Sequence, residues 1–410
     1  MANTSRPEIA GRRILGFSRN VFFLGWASCL TDISSEMTIT TLPLFLANVL
    51  GVKTPIIGLI EGIAESTATL LKIISGWLSD KLGRRKALTV AGYSLSAIAK
   101  PFLYLANAWP IVLGLRFTDR MGKGIRTSPR DALLADSTPL NEMGKSFGLH
   151  RAMDSLGAVI GLGLAAIIVF FLQRANLELA RHTYQTLVLV ATVPAFLAVL
   201  LIIALVHEPK RTATADAKSV EASRPASQTP FARRFRLFLA VMVIFTLGNS
   251  SDAFLILRAQ NLGSSVLHIL IILVLFNAVY SLVSLPAGLL SDRFGRRGTI
   301  AIGWSIYALI YLGFAIASAR WQVWLLYVLY GLYYGATDGV AKAFVADLVP
   351  AERRGTAYGL YNGAVGVTVL PASVIAGWLW QDFSPAAPFF FGAVLAGVAG
   401  VGLIFLLRER

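Results

Sequence analysis

The sequence predicts an all-α integral membrane protein with twelve transmembrane helices in two pseudo-symmetric six-helix bundles. Three observations carry this prediction: apolar runs of about 20 residues recur along the chain, one segment occurs twice, and basic residues concentrate on one side of the membrane. The composition agrees, because 56% of the 410 residues are hydrophobic, only 14% are charged, and the mean hydropathy is +0.66.

The apolar runs are continuous and do not alternate with polar residues, which excludes a transmembrane β-barrel. Each apolar run is therefore expected to form one transmembrane helix. The predicted spans are 20–47, 55–79, 87–107, 109–136, 145–173, 183–207, 235–258, 265–290, 299–318, 322–347, 356–380 and 386–407.

A short segment is written twice in the chain. Residues 76–86 read GWLSDKLGRRK and residues 288–298 read GLLSDRFGRRG, at an offset of 212. A second match relates 132–149 to 343–360 at an offset of 211. The two matches predict a duplicated protein with an N-terminal bundle (1–207), a polar linker (208–234) and a C-terminal bundle (235–410).

The basic residues predict how the chain is oriented. With twelve spans, 23 Lys and Arg residues fall on the side of the termini and five on the other side. By the positive-inside rule, both termini are expected in the cytoplasm, in a multi-pass protein of the bacterial inner membrane. Topology explains the net charge of +15 without nucleic acid, so we expect no nucleic-acid partner.

The repeated turn identifies a family resemblance. The pattern G-x-x-x-D-R/K-x-G-R-R follows spans two and eight, and together with the twelve spans and the central linker it resembles the major facilitator superfamily of secondary transporters over the full chain. The resemblance implies two bundles around a central cavity, which alternating access opens to one side at a time.

The repeated turn is also a candidate gate. We expect Asp80 and Arg84 to form an ion pair, with Asp136 from the end of span four as the second partner of Arg84; Asp292, Arg296 and Asp347 are the second set. The alternative is that these charges only anchor the topology. The complete gating set is Gly76, Asp80, Gly83, Arg84, Arg85, Asp136, Gly288, Asp292, Gly295, Arg296, Arg297 and Asp347.

Charges inside the predicted helices mark the candidate transport site. Arg116, Arg120 and Lys123 share one face of span four, and Arg120 lies roughly 16 Å below the start of the span, near the midplane. Such charges are costly unless they pair or face water. The N-terminal candidates for substrate binding or proton coupling are Asp32, Glu36, Glu61, Glu65, Arg116, Arg120, Lys123 and Asp154.

Two interpretations of these charges stay open. A substrate or proton competes for the carboxylates in the first, and a permanent salt-bridge network fixes the packing in the second. Arg120-x-x-Lys123-Gly124 partly resembles the R-x-x-Q-G motif of the superfamily, whose arginine is implicated in proton coupling; the lysine here favours anionic substrates. Structural pairing or snorkelling towards the cytoplasmic side is expected for Arg126, Arg130 and Arg151.

The C-terminal bundle has fewer charged candidates. Asp252 and Asp338 are expected to pair with Lys342 across the cavity or in an isolated packing pair. Span ten carries four tyrosines whose role is either packing or stacking on an organic substrate, and packing is the more common use of such a stripe. They are Tyr327, Tyr330, Tyr333 and Tyr334.

Motifs and residue clusters that the sequence lacks limit the possible functions further. The GKS at 144–146 lacks the earlier glycine of a phosphate-binding loop, because Pro139 stands there, so no nucleotide hydrolysis is expected. Four scattered histidines and the single Cys29 indicate no metal site and no intrachain disulfide. No catalytic constellation is recognisable. We expect a non-enzymatic protein without a cofactor.

The resemblance and the charges together define the expected function. We expect a monomeric secondary transporter that a proton or counter-ion gradient drives, moving a small organic solute, anionic or zwitterionic. Proton-driven efflux of amphipathic compounds is the alternative within the same class. A membrane sensor or scaffold without transport is the alternative from another class.

Overall fold

A computed structural model describes residues 13–139, 142–174, 176–208, 233–294, 296–349 and 354–406. These residues form twelve helical spans. They are α1 (Arg19–Ile39, continued by 42–49), α2 (Thr54–Leu82), α3 (Arg85–Phe102), α4 (Trp109–Asp136), α5 (Met143–Gln173), α6 (Arg181–Leu205), α7 (Arg233–Gly248, continued by Ala253–Asn261), α8 (Val266–Phe294), α9 (Arg296–Ile316), α10 (Arg320–Leu348), α11 (Arg354–Asp382) and α12 (Ala387–Leu406).

Seven of these spans are long and apolar enough to cross a membrane by their own composition: α5 to α9, α11 and α12. The other five, α1 to α4 and α10, are 18 to 29 residues long in their main helices and contain most of the charged candidates. An α-helix rises 1.5 Å per residue, so each of these five is also close to the thickness of the membrane core. The protein is therefore a multi-pass membrane protein whose polar helices lie mainly in the first half.

The first and seventh spans are interrupted, which the sequence did not predict. The main helix of α1 ends at Ile39, and the next piece begins at Leu42 with Pro43 in its first turn, where proline cannot donate a backbone hydrogen bond. Residues 249–252 of α7, Asn-Ser-Ser-Asp, lie between two helical pieces, and such side chains compete with the helix for backbone groups. The two breaks correspond in the duplication, because 40 and 252 differ by 212.

The two halves, α1–α6 and α7–α12, meet along the helix pairs α2–α11 and α5–α8. A Cβ added to Gly58 would lie 2.2 Å from the carbonyl oxygen of Ser373, so α2 and α11 approach backbone to backbone there. Towards the membrane face that holds the chain termini, here called the termini face, the contact loosens: a Cβ on Gly363 would meet Ile73 only at 4.0 Å. The opposite face is closed along this helix pair.

Replacing Gly58 by alanine should destabilise the fold, because the new methyl group would push α2 away from α11. Overpacking of this kind costs about 1–3 kcal/mol. Gly163 is the matched control, since nothing lies within 4 Å of a Cβ there and alanine is the better helix former. Thermal unfolding of the purified protein in detergent measures both changes. Equal melting temperatures for Gly58→Ala and Gly163→Ala would contradict the tight α2–α11 contact.

Candidate functional site

Two groups of polar and aromatic side chains lie near the middle of their helices, one in each half. The charged wall, from the first half, comprises Asp32, Glu36, Glu65, Arg120 and Lys123. The aromatic wall, from the second half, comprises Asp252, Phe276, Tyr280, Tyr330 and Tyr334. The walls are close, because the charged neighbours of Asp252 are Glu36, Glu61 and Glu65.

Two ion pairs join α2 to α4 beside the charged wall. Arg116 Nη2 lies 2.8 Å from Glu61 Oε2, and both side chains are almost fully buried, with Asp119 3.7 Å from the same guanidinium. Arg120 Nη2 lies 3.1 Å from Glu65 Oε1 one turn further along, and the Glu65 side chain is 40% exposed. The i,i+4 acids of α2 therefore match the i,i+4 arginines of α4. The deeper pair belongs to the core, whereas the Glu65 pair borders the space between the halves.

Lys100 has a structural position that sequence reasoning did not assign. Its side chain is 1% exposed, and Nζ donates to the hydroxyl oxygens of Ser34 at 2.8 Å and Ser35 at 3.0 Å. Asp119 is its principal acidic neighbour. In the sequence, the pair of serines directly before Glu36 was the available signal for this contact. Lys100 thus ties α3 to α1 behind the charged wall.

Asp32 and Lys123 differ from the other charges of this region. Both side chains are half-buried, and among the described residues neither makes a hydrogen bond or an ion pair. Asp154, Lys123 and Arg126 are charged neighbours of Asp32, and Asp154 itself lies 3.4 Å from His150 Nδ1. Asp32 and Lys123 are therefore the carboxylate and the ammonium group of the charged wall that no described contact occupies, while Glu36 accepts a hydrogen bond from Thr40 without an ion-pair partner.

The remaining basic residues of this region have partners. Arg126 lies over the ring of Tyr93 at 4.4 Å and donates to Ser96 Oγ at 3.1 Å. Arg130 pairs with the adjacent Asp131 at 2.9 Å. Arg151 contacts the hydroxyl of Tyr280 on α8, which links the two halves. These contacts remove three cations from those available to a substrate.

Asp252 is the described acidic group of the aromatic wall. Its side chain is exposed to the space between the halves, and Tyr330 donates its hydroxyl proton to Oδ1 at 2.8 Å. The expected partners Asp338 and Lys342 lie in α10, but their side chains are outside the described residues. The pairing expected from the sequence therefore stays a prediction.

The tyrosines of α10 pack mainly against other rings. Tyr327, Tyr330 and Tyr333 are buried, whereas Tyr334 is half-buried. Tyr330 contacts Phe276 at 5.5 Å and Tyr334 at 5.1 Å between ring centroids. Packing is the main role of the stripe, and the half-buried Tyr334 is its edge towards the space between the halves.

The gate of the first half uses a different arginine from the one expected. Arg85, rather than Arg84, pairs with Asp136, and it also donates to the carbonyl oxygen of Ala132 at 3.0 Å. Gly83 ends α2 in the left-handed region at φ 63°, and Arg84 is the exposed residue before α3 begins. The side chain of Arg85, the first residue of α3, therefore reaches α4. The side chain of Asp80 lies outside the described residues.

Glu208 completes this gate, and sequence reasoning missed it. Its two carboxylate oxygens accept from the backbone N–H groups of Arg85 at 3.0 Å and Lys86 at 2.8 Å, which caps α3. Lys86 in turn donates through Nζ to the carbonyl oxygen of Ile203 at 2.9 Å. A carboxylate at a helix N-terminus stabilises both the free N–H groups and the helix dipole. The end of α6 therefore holds the gating turn in place.

The second gate lies at the corresponding position of the other half. Arg296 Nη1 lies 2.9 Å from Asp347 Oδ1, which is the pair expected from the sequence. Gly288 lies within α8, whereas Gly295 and the side chain of Asp292 are outside the described residues. In both halves the pairing arginine is the first residue of the helix after the turn, α3 or α9. At the offset of 212, Arg296 corresponds to Arg84, but α3 begins one residue later, at Arg85, which explains the change of arginine.

A further contact closes the face opposite the termini. Asn48 Nδ2 donates to Gln260 Oε1 at 3.1 Å, and Gln260 Nε2 donates back to Asn48 Oδ1 at 2.8 Å. Gln260 also reaches the carbonyl oxygen of Leu177, and the N–H of Leu179 donates to Asn48. The two amides differ by 212 in number, the offset of the duplicated turn. We call this pair the amide clasp.

Comparison with known proteins gives the family. The model of the Major Facilitator Superfamily matches residues 24–257 and 237–410, so the chain belongs to this superfamily of transporters and is not an enzyme. An uncharacterized MFS-type transporter of Methanocaldococcus jannaschii is 36% identical over 400 residues, which is 95% of each chain. The class B tetracycline resistance protein of Escherichia coli is 32% identical over 142 residues, 35% of each chain.

Solved structures are consistent with the fold. The crystal structure of a D-xylose-proton symporter superposes with a TM-score of 0.73 at 15% identity, covering 95% of this chain and 98% of the other. At this identity the likeness concerns the fold alone. The predicted two-bundle architecture is confirmed, and transporters of this class act on small molecules in the membrane.

Replacing Arg85 by alanine should cost more stability than replacing Arg84. Arg85 loses an ion pair and a hydrogen bond, together worth roughly 1 kcal/mol, while exposed Arg84 loses neither. Thermal unfolding of Arg85→Ala and Arg84→Ala compares two adjacent changes of the same residue type. A larger loss of stability for Arg84→Ala than for Arg85→Ala would mean that Arg84 makes the stabilising contacts of this turn.

Proposed function

We propose that the protein is a secondary active transporter that couples a proton to the movement of a small anionic or zwitterionic organic solute. The observation that carries this proposal is the contrast within the charged wall. Glu61, Glu65, Arg116 and Arg120 are neutralised in ion pairs, whereas Asp32 and Lys123 have no described partner. Unpaired ionisable groups at mid-membrane depth are costly unless they serve a passing ion or solute.

The roles of the two groups follow from their chemistry. Lys123 has three N–H donors and no acceptor, so it binds the carboxylate of a solute. Asp32 accepts the coupling proton, because its neighbours include both the cation Lys123 and the acid Asp154. Protonation of Asp32 removes its competition for Lys123 and frees the ammonium group for the solute. Proton and solute then move in the same step, with no cofactor required.

The movement of the halves has a structural basis in the amide clasp. The clasp and the tight α2–α11 contact close the opposite face, while the same helix pair loosens towards the termini face. We place the termini face in the cytoplasm, because the twelve predicted spans put 23 of the 37 Lys and Arg residues of the sequence in the segments on that side. We therefore propose a state closed on the outside, in a bacterial inner membrane, with each chain working as a monomer.

Efflux of amphipathic compounds is the second candidate. The local similarity to a tetracycline resistance protein and the half-buried edge of the aromatic wall both favour it. The same two walls would bind the compound, and the proton at Asp32 would move in the opposite direction. Substrate chemistry and direction of coupling separate the two candidates.

Asp32→Asn should abolish gradient-driven accumulation while leaving solute exchange intact. The assay uses proteoliposomes, an imposed pH difference and a panel of radiolabelled organic acids and amino acids. With one proton per solute, a difference of about 2 pH units sustains roughly 100-fold accumulation, which falls to about onefold in the variant. Solute exchange without a gradient shows whether the variant is folded and still binds the solute.

Asp382→Asn is the matched control, because Asp382 is exposed at the end of α11 and outside both walls. It should accumulate solute as the wild type does. Normal accumulation by Asp32→Asn would remove Asp32 from the coupling step. Loss of both accumulation and exchange in a Lys123→Gln variant that remains folded is expected, because the solute carboxylate then lacks its partner.

Locking the amide clasp should stop transport reversibly. Asn48→Cys and Gln260→Cys are combined in a Cys29→Ser background, which removes the natural buried cysteine. A short bis-methanethiosulfonate reagent joins the two thiols, and a reductant releases them. We expect at least about a tenfold loss of exchange, recovered on reduction, since opening needs the clasp to separate. Undiminished exchange by the joined protein would show that the clasp stays closed during transport.

A further inference from the structure

The break in α7 places an acid beside backbone that is not helical. Residues 249–252 separate two helical pieces, and Asp252 is the last of them. Asp252 lies nine residues before the end of α7, and Tyr330 ten residues after the start of α10, so both lie roughly 15 Å below the opposite face. The exposed carboxylate accepts one hydrogen bond, from Tyr330. In many transporter folds, a broken helix near the middle of the membrane is a place where ions and solutes bind.

Asp252 has acidic neighbours in the other half, namely Glu36, Glu61 and Glu65. Each of these three has a basic group near it, because Glu61 and Glu65 pair with arginines and Glu36 has Lys123 among its neighbours. Asp252 itself makes no described ion pair, and its described hydrogen bond comes from Tyr330. An ionised carboxylate in a medium of low dielectric attracts a cation strongly.

A buried hydroxyl near Asp252 gives an independent indication of a ligand. The hydroxyl of Tyr327 has no hydrogen-bond partner among the described residues, although the side chain is only 2% exposed. Asp252 is its charged neighbour. A buried hydroxyl oxygen without a partner is costly, and a cation bound at Asp252 is a partner that this oxygen can coordinate. Carboxylate and hydroxyl oxygens together suit a small cation.

The aromatic wall adds a surface that attracts cations. The ring centroids of Tyr330 and Tyr334 lie 5.1 Å apart, and those of Tyr334 and Tyr280 lie 6.2 Å apart. The guanidinium of Arg151, from the other half, already lies over the Tyr280 ring at 5.6 Å. Phe276, whose ring centroid lies 5.5 Å from that of Tyr330, is also half-buried. Cations bind the faces of such rings most strongly where water is excluded.

We propose that Asp252, Tyr330 and the edge of the aromatic wall form a binding subsite for a monovalent cation. The occupant is either the protonated amine of the transported solute or a sodium ion, which share this chemistry. The inference rests on the proposed function, since Lys123 holds the carboxylate of the solute on the facing wall. An amine at Asp252 makes that solute a zwitterion, whereas sodium makes it a second coupling ion.

Cation-dependent stabilisation of the full-length protein tests the subsite without any transport. Thermal unfolding in detergent is followed against sodium chloride, potassium chloride, benzylammonium chloride and, as the anion control, potassium benzoate. Sodium alone should raise the melting temperature if the occupant is inorganic, and benzylammonium alone if it is an amine. In Asp252→Asn the half-saturating concentration should rise at least about tenfold, equivalent to about 1.4 kcal/mol. Asp382→Asn should match the wild type.

Tyr330→Phe keeps the test decisive if Asp252→Asn does not fold, because it removes one hydroxyl and should weaken cation binding about threefold. The proposal is overturned if neither sodium nor benzylammonium stabilises the wild type more than potassium does. It is also overturned if Asp252→Asn, or Tyr330→Phe in its place, responds to cations as the wild type does, which would leave Asp252 a purely structural role. A failure of coupling at Asp32 would show in the gradient assay alone, so the two proposals fail separately.

Discussion

The cost of placing charge in the middle of a membrane governs this structure. An ionised side chain there must pair, reach water or bind a ligand, because removing one partner of a buried pair costs about 3–5 kcal/mol. The Glu61–Arg116 and Glu65–Arg120 pairs satisfy this constraint for α2 and α4, and they fix the relative rotation of the two helices. The packing of α1 and α3 follows, since Lys100 reaches the serines of α1 from behind the same cluster.

Pairing also decides which charges remain for function. Span four presents a strongly basic face in the sequence, which suggested an anionic substrate. Arg116, Arg120, Arg126 and Arg130 all have partners in the structure, so Lys123 is the described cation of that face that remains available. Among the described side chains without an ion-pair partner, Asp32, Glu36 and Asp252 then outnumber Lys123. This balance is the reason why we propose a solute that carries a positive group as well as a negative one.

The sequence predicted the parts of the structure that depend on local pattern. Apolar length, together with the regular spacing of the spans, located the twelve helices, and the i,i+4 spacing of Glu61 and Glu65 marked a polar face of α2. It did not predict contacts that depend on how helices meet. Arg84 and Arg85 are identical side chains, and only the start of α3, capped by Glu208, decides which one reaches Asp136. The clasp between Asn48 and Gln260 was invisible for the same reason, since two neutral amides carry no signal in hydropathy or charge.

Symmetry assigns different mechanical roles to the gates and the clasp. Arg85 and Asp136 join α3 to α4 within the first half, and Arg296 and Asp347 join α9 to α10 within the second. Such pairs hold each half together as a rigid body and need not break when the halves move. Asn48 and Gln260 occupy equivalent positions of the duplication and contact each other, so they meet at the pseudo-twofold axis between the halves. Two neutral amides exchange their hydrogen bonds for water at little net cost, about 1 kcal/mol each. A contact of that strength can hold one face closed and still open in every cycle, which a buried ion pair could not do.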